Sequence, residues 1–188
     1  MRPFAACSIL SRSRLSGRSR ERVYLSLGGN LGDPSSAMGS ALRLLDADPT
    51  TDVITVSSLY RTPPWGKLDQ PEFLNAVAQL STGRSPRGLL ELCLAIEQRL
   101  ERVREERWGP RLIDIDILVF GDRAIHEPGL DVPHVRVLER AFVLVPLLEI
   151  APTLCVGGRS VTAHLEVLDC RGIERLPSGG DWWLGGAS

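Results

Sequence analysis

The segment Ile113-Asp114-Ile115-Asp116-Ile117 constrains the fold of this chain more than any other. Its period of two fits a β-strand, with the isoleucines on one face and both aspartates on the other. The carboxylates then stand roughly 7 Å apart along the strand, at about 3.3 Å of rise per residue. Anions at that distance repel unless water screens them or a cation lies between them. Two readings are open on this segment alone: a half-buried strand with an acidic, solvated side, or a platform for a cation.

The residues just before it bear on the choice. Arg102, Arg104, Arg107 and Arg111, with Trp108, fall in a loop punctuated by Gly109 and Pro110. Arginine forks match phosphate oxygens bidentately. Magnesium held by one or two carboxylates usually completes its shell with phosphate and water oxygens. Paired aspartates, clustered arginines and a tryptophan thus fit a metal-nucleotide site. The competing reading is a solvated loop whose arginines pair with Glu101, Glu105 and Glu106. Charge count does not separate the two.

Around this segment, period-two and helical patterns mix irregularly. Strands are expected at Val23–Gly28, 52–60 and 73–80, and the segment 61–71 cannot be regular because Pro63, Pro64 and Pro71 remove backbone donors. Asp33 and Pro34 can open a helix running to about Ala47. A second opens at Ser85-Pro86, with Leu89, Leu92/Cys93, Ile96, Leu100 and Val103 at spacings of three and four. The Asp-Ile strand ends at Gly121-Asp122, and a short hairpin follows. Residues 132–152 read as partly helical, and a last helix runs from Ser160 to about Cys170. The order is not strict βαβ alternation and favours an α+β fold with a mostly antiparallel sheet. Neither a Walker A loop nor GxGxxG is present, so any nucleotide is held without a P-loop.

A chain of 188 residues fits one domain. No run approaches the roughly 20 apolar residues of a membrane span, so a soluble, cytoplasmic protein is expected. Cys7, Cys93, Cys155 and Cys170 are scattered without metal-ligand spacing and read as reduced thiols. Residues 1–22 hold six arginines against Glu21, a net of +5 that leaves −6 for the rest of a chain whose total is −1. This Ser/Arg-rich leader is expected to be disordered. A transit peptide, an upstream start and a plain tail stay open for it. Residues 176–188 form a Gly-rich tail in which Trp182 and Trp183 either tuck against the surface or are exposed.

Four collinear blocks decide the functional question: "VYLSLGGNLGD", "SLYRTPPWGKLDQPEFLNAV", "RVREERWGPRLIDIDIL" and "VPHVRVLERAFVLVPLLEIAP". Together they closely resemble the 6-hydroxymethyl-7,8-dihydropterin pyrophosphokinase family, ATP-dependent enzymes of folate biosynthesis. The likeness runs from Val23 to about residue 170, and RWGPR-x-x-D-x-D-I is highly specific to the family. The resemblance implies a ferredoxin-like α+β domain over 23–175, and a monomer that binds neither nucleic acid nor membrane. It implies that Asp114 and Asp116 hold two Mg²⁺ ions between ATP and the pterin hydroxymethyl oxygen. Arg102, Arg111, His134 and Arg140 would contact ATP phosphates, with Glu97, Trp108 and Ile117 also on the nucleotide side. Arg104 would belong to a mobile catalytic loop, giving a catalytic set of Arg102, Arg104, Arg111, Asp114 and Asp116. The pterin would lie between Phe73 and Phe142, its edge read by Asn75 and by backbone groups at Thr62, Pro63 and Trp65.

Residue chemistry agrees with that assignment. Phe73 and Asn75 are two apart on an expected strand and so share a face. Each stacked ring is worth roughly 0.5–1.5 kcal/mol beyond area burial, and an unpaired buried donor costs about 1–3 kcal/mol, so the polar edge carries specificity. The chain also departs from the family. Many relatives have tyrosine where Phe73 stands and an aromatic at Val135, and the loop from Arg102 to Trp108 is one residue shorter than in the best-known members. Two rivals are weaker. A D-x-D nucleotidyltransferase would want a Gly-Ser turn ahead of the aspartates, where "EERWGPR" stands instead. An RNA-binding module fits poorly with a core charge of −6.

Overall fold

A computed structural model of the chain describes residues 20–64, 69–100 and 111–185. In chain order the elements are β1 (Glu21–Gly29), α1 (Pro34–Asp46), β2 (Thr51–Val56), β3 (Tyr60–Thr62), β4 (Phe73–Thr82), α2 (Pro86–Arg99), β5 (Asp114–Phe120), β6 (Ile125–Glu127), β7 (Leu130–Val132), α3 (Ala141–Ile150), β8 (Cys155–Val156), β9 (Arg159–Ser160), α4 (Val161–Leu165) and β10 (Glu174–Arg175). The main sheet runs β10-β3-β4-β1-β5, with β2 also on β4, and every pairing in it is antiparallel. The β1-α1-β2 unit straddles β4, and β4-α2-β5 straddles β1. This interleaving is the ferredoxin-like arrangement.

The expected α+β class follows from alternation along β1. Val23, Leu25 and Leu27 point into a core with α1 and α2, which contribute Met38, Leu42, Leu45, Leu89 and Ile96. Tyr24, with Val77 and Leu118, points to the other face, which Val143, Leu144 and Leu147 of α3 and Val161 of α4 cover. Ile115 and Ile117 belong to the α1/α2 core, so Asp114 and Asp116 look out on the α3 side. Helix starts match their signals: Asp33 accepts from Ser36 N at 3.0 Å and Ser85 from Gly88 N at 3.1 Å.

Three expectations shift, and one open choice is decided. The strand expected over 52–60 is two strands, β2 and β3. Between them Ser57 Oγ accepts the Val77 N–H at 2.9 Å and donates to the Ser58 carbonyl at 2.8 Å, so a side chain replaces part of the ladder. The last helix ends at Leu165 rather than near Cys170; in the turn beyond it only Leu168 still packs against the α3-side core. There Val167 is 74% exposed, and Val167 and Leu168 N–H bond three residues back. The domain starts before Val23: Arg20 pairs with Asp52, and Glu21 and Arg22 already lie opposite Thr82 and Ser81. Residues 1–19 of the expected leader are outside the described part. Finally, of the two readings open for the tail, the structure has Leu176, Trp182 and Trp183 packed on the domain. Leu176 N donates to Leu59 O (2.8 Å), Trp182 Nε1 donates to Ser57 O (2.9 Å), and Trp183 is buried against α1. No described helix is long and apolar enough to cross a membrane.

One turn-to-turn link gives a pH-dependent stability. Asp48, after α1, accepts from Thr50 N and Oγ1 (3.1 and 2.7 Å) and from Arg84 Nε (3.2 Å) in the turn before α2. Burial pushes its carboxyl up, but the Arg84 and Thr50 bonds outweigh that and hold it at about 2 against an ordinary 3.8. A depressed carboxylate contributes stability above the ordinary value and loses it as pH falls toward 2. Asp48→Asn should therefore cost about 1 kcal/mol at neutral pH, allowing for screening at the half-exposed Arg84. The gap in thermal midpoint should close between about pH 4 and 2. A gap that persists at pH 2 would assign the loss to packing instead.

Candidate active site

Asp114 and Asp116 project from one face of β5, an edge strand of the main sheet. Arg111 enters the strand with Nη2 3.2 Å from Asp114 Oδ2. Arg140, just ahead of α3, places Nη1 3.5 Å from Asp116 Oδ2, and His134 Nε2 stands 3.9 Å from the same oxygen. His134 is held at the end of β5 by its own N–H, which donates to Leu118 O at 3.0 Å. Its Nδ1 accepts from Arg136 N at 3.2 Å, which leaves the ring proton on Nε2, toward Asp116. Burial, and next the charge of Asp114, push the Asp116 carboxyl above the usual carboxylate range. Burial also lowers His134 and Arg140, with Asp116 opposing both shifts.

A second group of residues adjoins these. Phe73 and Asn75 of β4 lie opposite Thr62 and Tyr60 of β3, and Asn75 Nδ2 donates to Thr62 Oγ1 at 2.8 Å. Thr62, Phe73 and Asn75, with Pro63 and Phe142, line a cleft that Arg111 and Arg140 close. Each arginine lies over one ring: Arg111 is 5.4 Å from the Phe73 centroid and Arg140 is 5.8 Å from that of Phe142. A neighbouring cleft of about 330 Å³ shares Asn75, Arg111, Arg140 and Phe142 and reaches Asp114 and Asp116. The slot flanked by Phe73 and Phe142 therefore adjoins the carboxylate pair.

Ten of the expected residues meet here: Thr62, Pro63, Phe73, Asn75, Arg111, Asp114, Asp116, His134, Arg140 and Phe142. Glu97 and Ile117 are placed differently. Glu97 is 3% exposed, and its Oε1 accepts the Ile115 N–H at 2.7 Å, closing part of the free edge of β5. The Ile117 side chain is in the α1/α2 core, so only its backbone can face a ligand at that edge. Arg102, Arg104, Trp108 and Trp65 lie outside the described residues.

The sequence reading missed Asn30. Its Oδ1 accepts Arg111 N at 2.9 Å, its Nδ2 donates to Gln70 Oε1 (3.2 Å) and Pro71 O (3.0 Å), and its own N–H donates to Arg111 O at 2.9 Å. One buried amide thus ties the end of β1 to both the arginine segment and the segment leading into β4. Asparagine is itself a favoured turn residue, so "GGNLG" reads as a plain turn and the sequence carried no separate signal for this role.

The donor set suits a hard divalent cation. Among the described residues, no group of three or more His, Cys, Asp or Glu forms an all-protein cage. Two carboxylate oxygen donors on one strand face, whose joint ionisation burial and their mutual repulsion disfavour, match the sparse protein shell of Mg²⁺ shared with phosphates. The Nε of Arg111 is buried with no hydrogen-bond partner among the described residues, a donor left for an anion.

Comparison with known proteins agrees with this geometry. The family model described as 7,8-dihydro-6-hydroxymethylpterin-pyrophosphokinase matches residues 24–152. The 2-amino-4-hydroxy-6-hydroxymethyldihydropteridine pyrophosphokinase of Methylorubrum extorquens is 52% identical over 155 residues, covering 82% of this chain and 98% of that protein. The enzyme of the same name from Pseudomonas aeruginosa is 45% identical over 158 residues, covering 84% and 98%. Among solved structures, Plasmodium falciparum HPPK-DHPS with pteroate superposes with a TM-score of 0.69 at 15% identity, over 85% of this chain and 48% of that one. The present chain thus spans less than half of that solved chain, and the likeness bears on the fold alone. Taken with the site residues, the matched relatives show that the chain belongs to the 7,8-dihydro-6-hydroxymethylpterin-pyrophosphokinase family.

Proposed function

We infer that the chain transfers the terminal pyrophosphoryl group of ATP to 6-hydroxymethyl-7,8-dihydropterin, giving the pterin diphosphate and AMP, as a cytoplasmic step of folate biosynthesis. The observation that carries this is the slot between Phe73 and Phe142 adjoining Asp114 and Asp116. A flat bicyclic ring stacked there would present a hydroxymethyl arm toward the carboxylates, with Asn75 and Thr62 at its polar edge. The free thiols of Cys93, Cys155 and Cys170 accord with a reducing compartment.

In the reaction, the hydroxymethyl oxygen forms a bond to the β-phosphorus. The bond from that phosphorus to the α–β bridging oxygen breaks, its electron pair leaves with AMP, and the hydroxyl proton goes to water. Asp114 and Asp116 would hold two Mg²⁺ ions, which supply charge neutralisation and lower the pKa of the attacking hydroxyl. Arg111 and Arg140 would neutralise the equatorial oxygens of the transferring group, and the family resemblance assigns Arg102 and Arg104, outside the described residues, to the same task. His134 keeps its Nε2–H as a donor for a phosphate oxygen or Asp116. Glu97 acts through β5, holding Ile115 so that both carboxylates keep their direction. Ile117 offers the nucleotide base its backbone groups at the open edge.

Purified protein incubated with ATP, Mg²⁺ and the dihydropterin should yield AMP and a diphosphorylated pterin in equal amounts, read by phosphorus NMR. An ATP analogue with methylene between the α- and β-phosphorus should bind but not react, because the bond to be broken is no longer a phosphoanhydride. ADP with a monophosphorylated pterin, or turnover of that analogue, would overturn the reading.

A further inference from the structure

We propose that Glu149, outside the cleft and absent from the chemistry, is a positioning residue that sets the width of the pterin slot. The inference rests on the pterin reading above. Glu149 sits in the last turn of α3 and binds across to β3 and β10. Its Oε2 accepts Ser58 N at 3.0 Å and Tyr60 OH at 2.9 Å. Its Oε1 accepts Ser58 Oγ and Arg175 Nη2, both at 2.9 Å. Arg175 Nε returns to Ser58 Oγ at 3.0 Å, closing the network. Ser58 and Tyr60 are buried, and burial with the Glu149 bond pushes the Tyr60 hydroxyl up to about 12, so it stays a donor.

The geometry links this network to the slot from both sides. Glu149 and Phe142 are seven residues apart on one helix, two turns, and therefore share a face. Tyr60 and Thr62 are two apart on β3 and share a face as well. Their ladder partners on β4 are Asn75 and Phe73, the floor of the slot. The helix and strand thus run as two rails. One end is pinned by Glu149 on Tyr60 and Ser58, and the other carries Phe142 across from Thr62 and Pro63. Pro146 lies between the two ends of α3 and removes one helix hydrogen bond, so the far turn needs its own anchor. A carboxylate taking four hydrogen bonds, two from Ser58 just ahead of β3 and one each from Tyr60 and Arg175, provides it.

The test uses Glu149→Gln, which keeps shape but loses charge and one acceptor, and Tyr60→Phe, which removes a single hydroxyl. Binding of 6-hydroxymethylpterin is followed by fluorescence in the presence of Mg²⁺ and the α,β-methylene ATP analogue, and nucleotide binding alone by calorimetry. Pterin Kd and KM should rise about tenfold in Glu149→Gln and about threefold in Tyr60→Phe. Nucleotide Kd, and kcat at saturating pterin, should stay within twofold. A merely structural role would lower both affinities together with the thermal midpoint, and that result overturns the proposal. So does an unchanged pterin Kd in both variants. Failure of the wild-type protein to bind 6-hydroxymethylpterin would instead sink the assignment of the slot itself.

Discussion

Replacing Asp116 with asparagine should leave a folded protein whose turnover falls at least a hundredfold, a barrier increase of about 2.7 kcal/mol or more. The side chain keeps its shape, so β5 and the Ile115 and Ile117 core contacts have no reason to move. What disappears is a charge that burial and Asp114 already disfavour in the absence of a cation. Without Mg²⁺, then, the variant should melt no lower than wild type at neutral pH, since the ionised form of Asp116 works against the fold there. With Mg²⁺ and nucleotide the order should reverse, because only the wild type gains full linkage from binding. Asp114→Asn should lose turnover similarly but also release Arg111 from its 3.2 Å pair. Retention of more than about a tenth of wild-type activity by either variant would show that the pair is not the metal platform. Melting curves with and without Mg²⁺, beside the AMP assay, supply both readouts.

Gly29→Ala should damage both fold and site. A Cβ at Gly29 would lie 2.2 Å from the Leu112 carbonyl oxygen and 3.0 Å from its carbon, backbone atoms that cannot rotate away. Nor can the segment retreat freely, since Asn30 holds Arg111 through its own N–H and through Oδ1. Overpacking against fixed backbone should cost roughly 3 kcal/mol, a drop of about 6–12 °C in thermal midpoint for a domain of this size. The displaced stretch carries Arg111 and leads into Asp114, so kcat/KM should also fall at least tenfold at temperatures where the variant is still folded. Gly83→Ala is the control. Its Cβ would meet nothing nearer than 3.9 Å, and its stability should stay within about 0.5 kcal/mol of wild type. Equal effects from the two substitutions would remove the close-approach argument.

The parts of the site that were legible in the sequence are those set by local periodicity. Alternation along 113–117 placed both aspartates on one face, and the same rule put Phe73 and Asn75 together on β4, as the structure has them. Caps at Asp33 and Ser85 marked helix starts because an N-cap acts within three residues of itself. The α+β class was legible for the same reason. Family blocks then supplied what spacing alone left open, namely the family to which the Asp-Ile strand and its neighbours belong.

The tertiary structure decided what depends on partners far along the chain. Ser57 interrupts an otherwise good strand because Val77, twenty residues on, donates to its hydroxyl rather than to a ladder carbonyl. Of residues 166–170 only Leu168 is partly buried, and the chain there turns with bonds three residues back, so α4 stops at Leu165. Glu97, which the family resemblance puts on the nucleotide side, closes the edge of β5 at Ile115. Asn30 joins segments 40 and 81 residues away, and Glu149 joins β3 and β10 to α3. A segment's own sequence specifies its periodicity and its caps. Which buried polar atom meets which distant partner is fixed only when the layers pack and every desolvated donor must find an acceptor.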